Sequence, residues 1–164
     1  MKQNNEFDLV VLLHNIRSTY NVGAIFRTAD AIGVSKIYLC GITPAPPHPK
    51  ISKTALGAEK SVPYEKIGQT WRLMKKLKEN NYQIIALEQT KKAHNIFQFK
   101  NIKARKIALI LGPEVKGLSS RILKYCNLYL EIPMYGKKES LNVAVAFGIA
   151  VYILRHFWYN KEGF

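Results

Sequence analysis

The chain has 164 residues, of which 48% are hydrophobic, so it is long enough for one domain with a substantial buried core. Its 25 lysines and arginines outnumber its 11 aspartates and glutamates, which leaves a formal net charge of +14 at pH 7. This balance favours a polyanionic partner, with nucleic acid first and an acidic membrane surface second, and charge alone does not name it.

The two cysteines, Cys40 and Cys126, are too few for a disulfide framework, and neither has a metal-ligand spacing to another cysteine or a histidine. We therefore expect no metal site and a reducing, cytoplasmic setting. Residues 1–8 are polar and lack the apolar core of a secretory signal. The apolar run 143–154 is shorter than the ~20 residues needed to cross a bilayer, so it predicts a buried helix and no membrane partner.

The chain opens with a predicted strand, a loop and a helix. Residues 9–13 form an apolar run typical of a buried strand, and Ser18 or Thr19 can cap a helix that ends at Gly33. Asn15 and Arg17 then lie in the loop at the carboxyl end of the first strand, where α/β sheets place their ligands.

The remaining elements alternate in type. The four prolines within 44–49 exclude regular structure there, and a helix starting at Gly112-Pro113-Glu114 should run to about Tyr125. We predict strands at 36–40, 82–87, 107–111 and 128–132, a short element at 52–58, an amphipathic helix around 71–77 and a last helix from about 142 to 158. This alternation indicates an α/β fold with a mostly parallel sheet flanked by helices. With no repeat or linker, residues 1–164 are expected to form a single domain.

Several common α/β chemistries are excluded by missing motifs. The chain contains no Gly-x-Gly, no phosphate loop ending in Gly-Lys-Ser/Thr, and no Gly-x-Ser-x-Gly. What remains is a set of polar residues within 15–30, where two asparagines and two arginines stand among packing positions, and three later strand ends that carry glycine or proline. Any one of these polar residues alone favours a solvated turn or an ordinary surface arginine; four together favour a site.

These segments resemble the SpoU-type (TrmH-like) RNA 2′-O-ribose methyltransferases of the SPOUT superfamily, from about Leu9 to Trp158. The resemblance rests on three ordered motifs. The first matches Asn15, Arg17, Asn21, Gly23 and Arg27; the second matches Gly112, Glu114, Gly117 and Leu118; the third matches Ile132, Pro133, Met134, Ser140, Leu141 and Asn142.

The resemblance implies a deep trefoil knot in the C-terminal part, a homodimer, and S-adenosylmethionine as cofactor. It implies that Arg27 activates the ribose hydroxyl and that Asn21, Ser140 and Asn142 position it. It assigns the cofactor pocket to Leu87, Leu111, Gly112, Ile132, Met134 and Leu141, and glycine's tolerance of close backbone approach adds Gly117. Glu114 either orders the second-motif loop or favours a helix start, and Arg17 is either an RNA phosphate contact or a surface arginine.

Helical geometry complicates the first motif. Asn21 and Arg27 are six residues apart, which is a rotation of about 240° on a helix, so they do not share a face. Either Asn21 precedes the regular helix, or the two residues serve different parts of the site or different subunits.

A basic segment spans residues 91–106 and contains six lysines and arginines, two phenylalanines and no carboxylate. It predicts an RNA-binding patch that includes Lys103 and Arg105, with Phe97 and Phe99 as stacking rings. The alternative is a solvated loop whose rings reach the core.

The sequence therefore predicts an RNA 2′-O-ribose methyltransferase with no added RNA-binding domain. Transfer RNA is preferred over ribosomal RNA as the substrate, because the chain is small. The alternative from another class is a basic RNA-binding module that keeps the fold without catalysis, against which the intact Arg27, Asn21, Glu114, Ser140 and Asn142 argue. Another nucleotide-using α/β enzyme is disfavoured by the missing glycine fingerprints.

Overall fold

A computed structural model describes residues 7–162. Most of the N-terminal stretch that we judged unlike a secretory signal lies outside the described residues. The elements are β1 (Asp8–His14), α1 (Thr19–Ile32), β2 (Lys36–Cys40), α2 (Pro49–Ala55), α3 (Ala58–Ser61), β3 (Tyr64–Ile67), α4 (Thr70–Glu79), β4 (Gln83–Leu87), β5 (His94–Asn95), β6 (Lys106–Leu111), α5 (Ser120–Leu123), β7 (Leu128–Glu131) and α6 (Val143–Glu162).

The strands form one seven-stranded sheet in the order β3-β2-β1-β6-β4-β7-β5. All six neighbouring pairs in it are parallel, which confirms the predicted parallel sheet. At its centre, Val11 of β1 lies beside Ile37 of β2 and Leu109 of β6. β2 and β3 follow β1 outward in chain order on one side, whereas the other side runs β6, β4, β7, β5 and is not in chain order. The carboxyl ends of β6, β4 and β7 therefore lie side by side at one edge of the sheet.

The two faces of the sheet bury separate cores. Leu9, Val11 and Leu13 of β1 face a core shared with α1, α2 and α6, whereas Val10 and Leu12 face one shared with α4 and α5. Alternate residues of one strand thus enter opposite cores, as the period of two in a strand requires. The result is a sheet covered on both faces, which is the arrangement that parallel sheets require.

Helix α1 is capped at both ends as its sequence predicts. The Ser18 hydroxyl accepts the backbone N–H of Asn21 at 3.2 Å, and Gly33 ends the helix with a φ of 74°. Helix α6 is tied to this end of α1, since the Arg155 guanidinium donates to the carbonyls of Ile32 at 2.7 Å and Gly33 at 3.0 Å. The two helices therefore form one packed pair on the face opposite α4.

Three local predictions were wrong. Residues 52–58 are not one element but parts of two helices, and Pro49, which we placed in the irregular proline segment, opens α2 at a position where proline's missing N–H costs nothing. The short strands β3 and β5 were missed because they lie at the two edges of the sheet, where a strand needs little apolar sequence.

The third error concerns the helix expected from Gly112 to Tyr125. Only Ser120–Leu123 is helical, because Gly117 adopts a left-handed φ of 65° that interrupts any helix beginning at Pro113. Residues 112–118 instead form a tight loop after β6.

Both cysteines are buried thiols, and burial raises the pKa of Cys40 and of Cys126 to about 12. Among residues 7–162, no group of three or more histidine, cysteine, aspartate or glutamate side chains could hold a metal ion. No helix in the described part of the chain combines the length and apolarity required to cross a membrane.

Candidate functional site

A pocket of about 480 Å³ opens where β4, β6 and β7 end. Neighbouring parallel strands bring their carboxyl ends to one edge of the sheet, and ligands of open α/β sheets bind in the crevice there. The last residue of each strand and the residue after it supply part of the pocket wall: Leu87 and Glu88 at the end of β4, Leu111 and Gly112 at the end of β6, and Glu131 and Ile132 at the end of β7.

All seven residues that were assigned to a cofactor pocket line this cavity. They come from four separate stretches of sequence, which the sheet order brings together: Leu87, Leu111, Gly112, Gly117, Ile132, Met134 and Leu141. Glu114 and Ser140 line it as well. The wall is a mixture of apolar side chains and loop backbone, which is typical of a nucleoside slot.

The loop 112–118 packs too tightly for side chains at its two glycines. A Cβ on Gly112 would lie 2.8 Å from the Leu118 side chain. A Cβ on Gly117 would lie 2.8 Å from a carboxylate oxygen of Glu88, at a φ of +65°. Glycine is needed at both positions for the loop to close over the pocket.

Glu88 is a site residue that the sequence reasoning missed. Its carboxylate accepts the backbone N–H of Leu118 at 2.8 Å, so it ties the end of β4 to the loop after β6. The signal was present: Glu88 is a charged residue directly after an apolar strand, the same criterion that singled out Asn15.

A chain of side-chain hydrogen bonds joins the three motifs. Asn21 donates through Nδ2 to Glu114 Oε1 at 3.0 Å, and Asn142 donates through Nδ2 to Asn21 Oδ1 at 3.1 Å. Asn142 Oδ1 also accepts the backbone N–H of Ala144 at 2.9 Å, at the start of α6. Asn21 is thus the link between the second and third motifs.

The hydrogen bond to Asn21 bears on the two alternatives for Glu114, which were that it orders the second-motif loop or that it favours a helix start. Its carboxylate lies against α1 rather than at a helix start, since residues 113–116 are not helical. This hydrogen bond links the loop after β6 to α1, which favours the first alternative for Glu114, that it orders the loop.

Asn15 connects β1 to the loop after β2. Its Oδ1 accepts the backbone N–H of Ile42 at 3.1 Å, its Nδ2 lies 3.3 Å from His14 Nε2, and its own φ is 55°. A Cβ on Gly41 would lie 2.0 Å from Asn15 Oδ1, so this contact depends on glycine. Burial lowers the pKa of His14, which keeps the ring neutral beside the amide. Asn15 does not line the pocket; it shapes the strand end beside it.

The two arginines of the first motif lie outside the pocket lining. Arg17 is exposed in the loop between β1 and α1. Asn21 is the third residue of α1, which rules out its preceding the helix. Arg27 is exposed on the same helix, and its spacing of seven residues from Tyr20 places these two on one face, away from Asn21.

The basic segment 91–106 is divided between the two ends of the sheet. Lys91 and Lys92 follow β4 near its carboxyl end, whereas Lys103 and Arg105 directly precede β6 and so lie at its amino end. The two rings also separate: Phe97 is 51% exposed, and Phe99 packs against the core. Lys103 and Arg105 are therefore not part of the pocket.

Comparison with known proteins agrees with this architecture. The crystal structure of a TrmH/SpoU tRNA modifying enzyme from A. aeolicus superposes with a TM-score of 0.84 at 30% identity, covering 96% of this chain and 78% of that one. An AdoMet-bound rRNA methyltransferase from Sinorhizobium meliloti gives a TM-score of 0.84 at 27% identity, covering 92% of this chain and 57% of that one.

Curated sequences give the same result. The chain is 32% identical over 144 residues to the 23S rRNA (guanosine-2′-O-)-methyltransferase RlmB of Vibrio vulnificus, covering 88% of this chain and 57% of that protein. The chain spans 56–60% of the length of these curated relatives. The model of the SpoU rRNA Methylase family matches residues 8–152. The chain therefore belongs to the SpoU rRNA Methylase family.

Proposed function

We propose that this chain transfers the methyl group of S-adenosylmethionine to a ribose 2′-hydroxyl of RNA. The observation that carries the proposal is the meeting of three distant motifs at one pocket edge, where Asn21 contacts both Glu114 and Asn142. The chemistry named for two relatives supports it: one is an AdoMet-bound rRNA methyltransferase and the other a guanosine-2′-O-methyltransferase.

The pocket fits the cofactor by size and composition. A cavity of about 480 Å³ with leucine, isoleucine and methionine side chains suits an adenosine, and Gly112 and Gly117 let the loop backbone approach it closely. When bound, S-adenosylmethionine supplies an electrophilic methyl group on a sulfonium, which needs little activation beyond alignment. The protein's task is then to position and deprotonate one hydroxyl.

We assign that task to polar groups at the pocket edge. Asn21 and Asn142 hold each other at a fixed distance, and Ser140 lines the pocket two residues before Asn142. Arg27 is assigned to stabilise the developing negative charge, because a guanidinium rarely gives up its proton and so rarely serves as a base. A phosphate or the hydroxyl's own hydrogen-bond network accepts the proton.

The homodimer is part of the proposal, with a second copy of this chain on the exposed face of α6. Val145, Tyr152 and Tyr159 are 45–52% exposed and recur every seven residues, so they form one apolar stripe on that helix. Tyr20, which is 44% exposed, shares a face of α1 with Arg27. A partner that covers this stripe brings Arg27 to a subunit interface, where it can complete the partner's site.

Sedimentation velocity tests the dimer. We expect twice the chain mass for the unaltered protein and a single chain mass for Val145→Glu/Tyr152→Glu, because two buried carboxylates would have no partner. Leu56→Glu is the control, since Leu56 is 66% exposed and lies outside the stripe. A monomeric unaltered protein, or a dimer that survives the double change, contradicts this interface.

Calorimetry with S-adenosylmethionine and then with NAD tests the cofactor. We expect binding of the first alone, and no binding of S-adenosylmethionine would overturn the proposed function.

RNA incubated with labelled cofactor is then mapped for ribose methylation. We expect transfer RNA to be the better substrate, and the tRNA modifying enzyme among the structural relatives supports this choice. Labelling confined to ribosomal RNA would contradict it, and RNA binding with no transfer to any RNA would favour a non-catalytic module.

A further inference from the structure

A second cleft of about 690 Å³ lies between α4 and the β2–β3 side of the sheet, away from the candidate active site. Its lining runs from Lys36, Tyr82 and Lys106, at or just before the amino ends of β2, β4 and β6, to residues 67–69 at and after the carboxyl end of β3. β6 alone separates its Lys106 from Leu111 in the first pocket, which is roughly 17 Å at the usual rise of a strand. The two cavities share no lining residue, so the cleft is a separate feature from the candidate active site.

The cleft combines a cationic rim with an aromatic and apolar floor. Four cations line it, Lys36, Arg72, Lys76 and Lys106, against the single carboxylate of Glu65. The floor is made of residues that also pack on the core of that sheet face: Tyr38, Ile67, Leu73, Leu77 and Tyr82. This pairing of rings with cations is the composition that binds single-stranded nucleic acid.

Two of the cations are held against the rings of the floor. Lys36 Nζ lies 5.0 Å from the centroid of Tyr38 and 2.7 Å from Glu65 Oε2, and Lys106 Nζ lies 5.5 Å from the centroid of Tyr82. The Tyr82 hydroxyl donates to the Asp8 carboxylate, which fixes its ring. An RNA phosphate that binds Lys36 or Lys106 would therefore lie beside a tyrosine ring on which a base can stack.

Arg72 and Lys76 contribute from α4. They are four residues apart, so they lie on the same face of the helix, and both are exposed. The Arg72 guanidinium lies 5.2 Å from the centroid of Trp71, which provides a fluorescent reporter at the cleft.

We propose that this cleft binds a single-stranded stretch of RNA, with its cations on the phosphates and the Tyr38 ring on a base. The inference rests on the proposed function, because RNA is then already the substrate, and it adds a second contact that reaches the amino ends of the strands, outside the first pocket. Lys103 and Arg105 precede β6 at this same end of the sheet, so the basic surface extends beyond the cleft. Gln69 and Asn80 on the rim can pair with a base edge.

Tryptophan fluorescence tests the contact directly. In a Trp158→Phe background, Trp71 is the remaining tryptophan, and we expect its emission to change saturably on addition of a short oligouridylate. Arg72→Glu/Lys76→Glu should weaken binding at least about tenfold and lower the salt slope by about 1.4, at ~0.7 per lost phosphate contact on a single strand. Circular dichroism melting establishes that each variant is folded.

The control is Lys75→Glu/Lys124→Glu, which makes the same change in net charge at two exposed lysines outside the cleft. Binding weakened equally by both double changes would overturn the inference, because it would then report net charge alone. The inference would also be overturned if uridine monophosphate bound as tightly as the oligonucleotide. The same holds if Trp71 responded to anionic phospholipid vesicles but not to RNA.

Two further measurements separate this inference from the proposed function. Calorimetry should give Arg72→Glu/Lys76→Glu an unchanged affinity for S-adenosylmethionine, while methyl transfer shows a raised KM for RNA. An unchanged KM would overturn the cleft as a substrate contact and leave the methyltransferase intact. Failure of the unaltered chain to bind S-adenosylmethionine would instead overturn the proposed function and leave the Trp71 titration valid.

Discussion

Asn21 has an unusual position for a helical residue, because its side chain makes both of its hydrogen bonds to other motifs. It donates to Glu114, 93 positions away in sequence, and accepts from Asn142, 121 positions away. An asparagine in the first turn of a helix is ordinarily a local capping group. Here the helix is capped by Ser18 instead, which leaves the Asn21 amide free for the site.

We predict that Asn21→Asp lowers the rate of methyl transfer by about 100-fold, the effect of a misplacement near 1 Å. In the unaltered protein Asn21 Nδ2 lies 3.0 Å from Glu114 Oε1. Aspartate replaces this donor by an oxygen, so that two carboxylates face each other. Adding Glu114→Gln supplies an amide donor in the reverse direction and should restore most of the rate. A double variant no faster than Asn21→Asp would mean that this hydrogen bond does not organise the site.

Arg27 is predicted to act on the reaction and not on cofactor binding. Arg27→Ala should reduce kcat by roughly 100- to 1000-fold, as removal of one charge-stabilising donor does, and leave the S-adenosylmethionine affinity from calorimetry unchanged. Asp30→Ala, at an exposed position one turn further along α1, is the matched control and should keep full activity. Near-normal turnover of Arg27→Ala would remove this residue from the reaction.

At the scale of elements, the close approach of α1 to α2 is what brings the first motif to its position. The contact depends on Gly23, where a Cβ would lie 2.0 Å from Thr54 Oγ1 and 2.3 Å from the Ile51 carbonyl oxygen. The carbonyl belongs to the backbone of α2 and cannot rotate away. Gly23 was one of the residues of the first motif, and its role is packing rather than ligand contact.

Two glycines inside helices should respond oppositely to substitution by alanine. Gly23→Ala is expected to lower the free energy of unfolding by about 1–3 kcal/mol through overpacking. Gly148→Ala in α6 should raise it by up to about 1 kcal/mol, because the nearest heavy atom, Thr28 Cγ2, is 3.8 Å from the new Cβ and alanine favours the helix. Urea denaturation measures both; the same sign of change at both positions would contradict the packing described for α1.

At the scale of the whole molecule, positive charge is distributed over both ends of the sheet. Lys91 and Lys92 lie near the carboxyl ends of the strands, and Lys36, Lys103 and Lys106 lie at or before their amino ends. A large structured RNA can reach both ends, whereas a mononucleotide cannot. The charge of +14 and its distribution therefore support the proposed RNA substrate.

We predict that Lys103→Glu/Arg105→Glu weakens RNA binding and lowers the slope of log affinity against log salt by about 1.4 to 1.8, depending on whether the bound strand is single or paired. Filter binding over a salt series measures it, with Lys75→Glu/Lys124→Glu as the charge-matched control. An unchanged slope would remove Lys103 and Arg105 from the RNA surface.

Five of the seven strands, the parallel sheet and, through the family resemblance, seven of the pocket-lining residues could be predicted from the sequence. Apolar runs and helical periodicity are local patterns, which identify elements such as β2 at Lys36–Cys40 without knowledge of their neighbours. The edge strand β3 could not be predicted, because a short edge strand needs few apolar residues. The loop after β6 could not be predicted either, because Gly117 overrides the helix signal of Pro113 and Glu114.

The sequence by itself determined which residue types are present at each strand end, and from these the family resemblance and the expected cofactor pocket followed. Only the tertiary structure decided which of them meet. Asn21 contacts both Glu114 and Asn142, whereas Arg27 lies on another face of α1. Glu88 binds the loop that lines the pocket, and the segment 91–106 is divided between opposite ends of the sheet. The physical reason is that strand order in a parallel sheet is set by long crossover connections, whose packing no local pattern records.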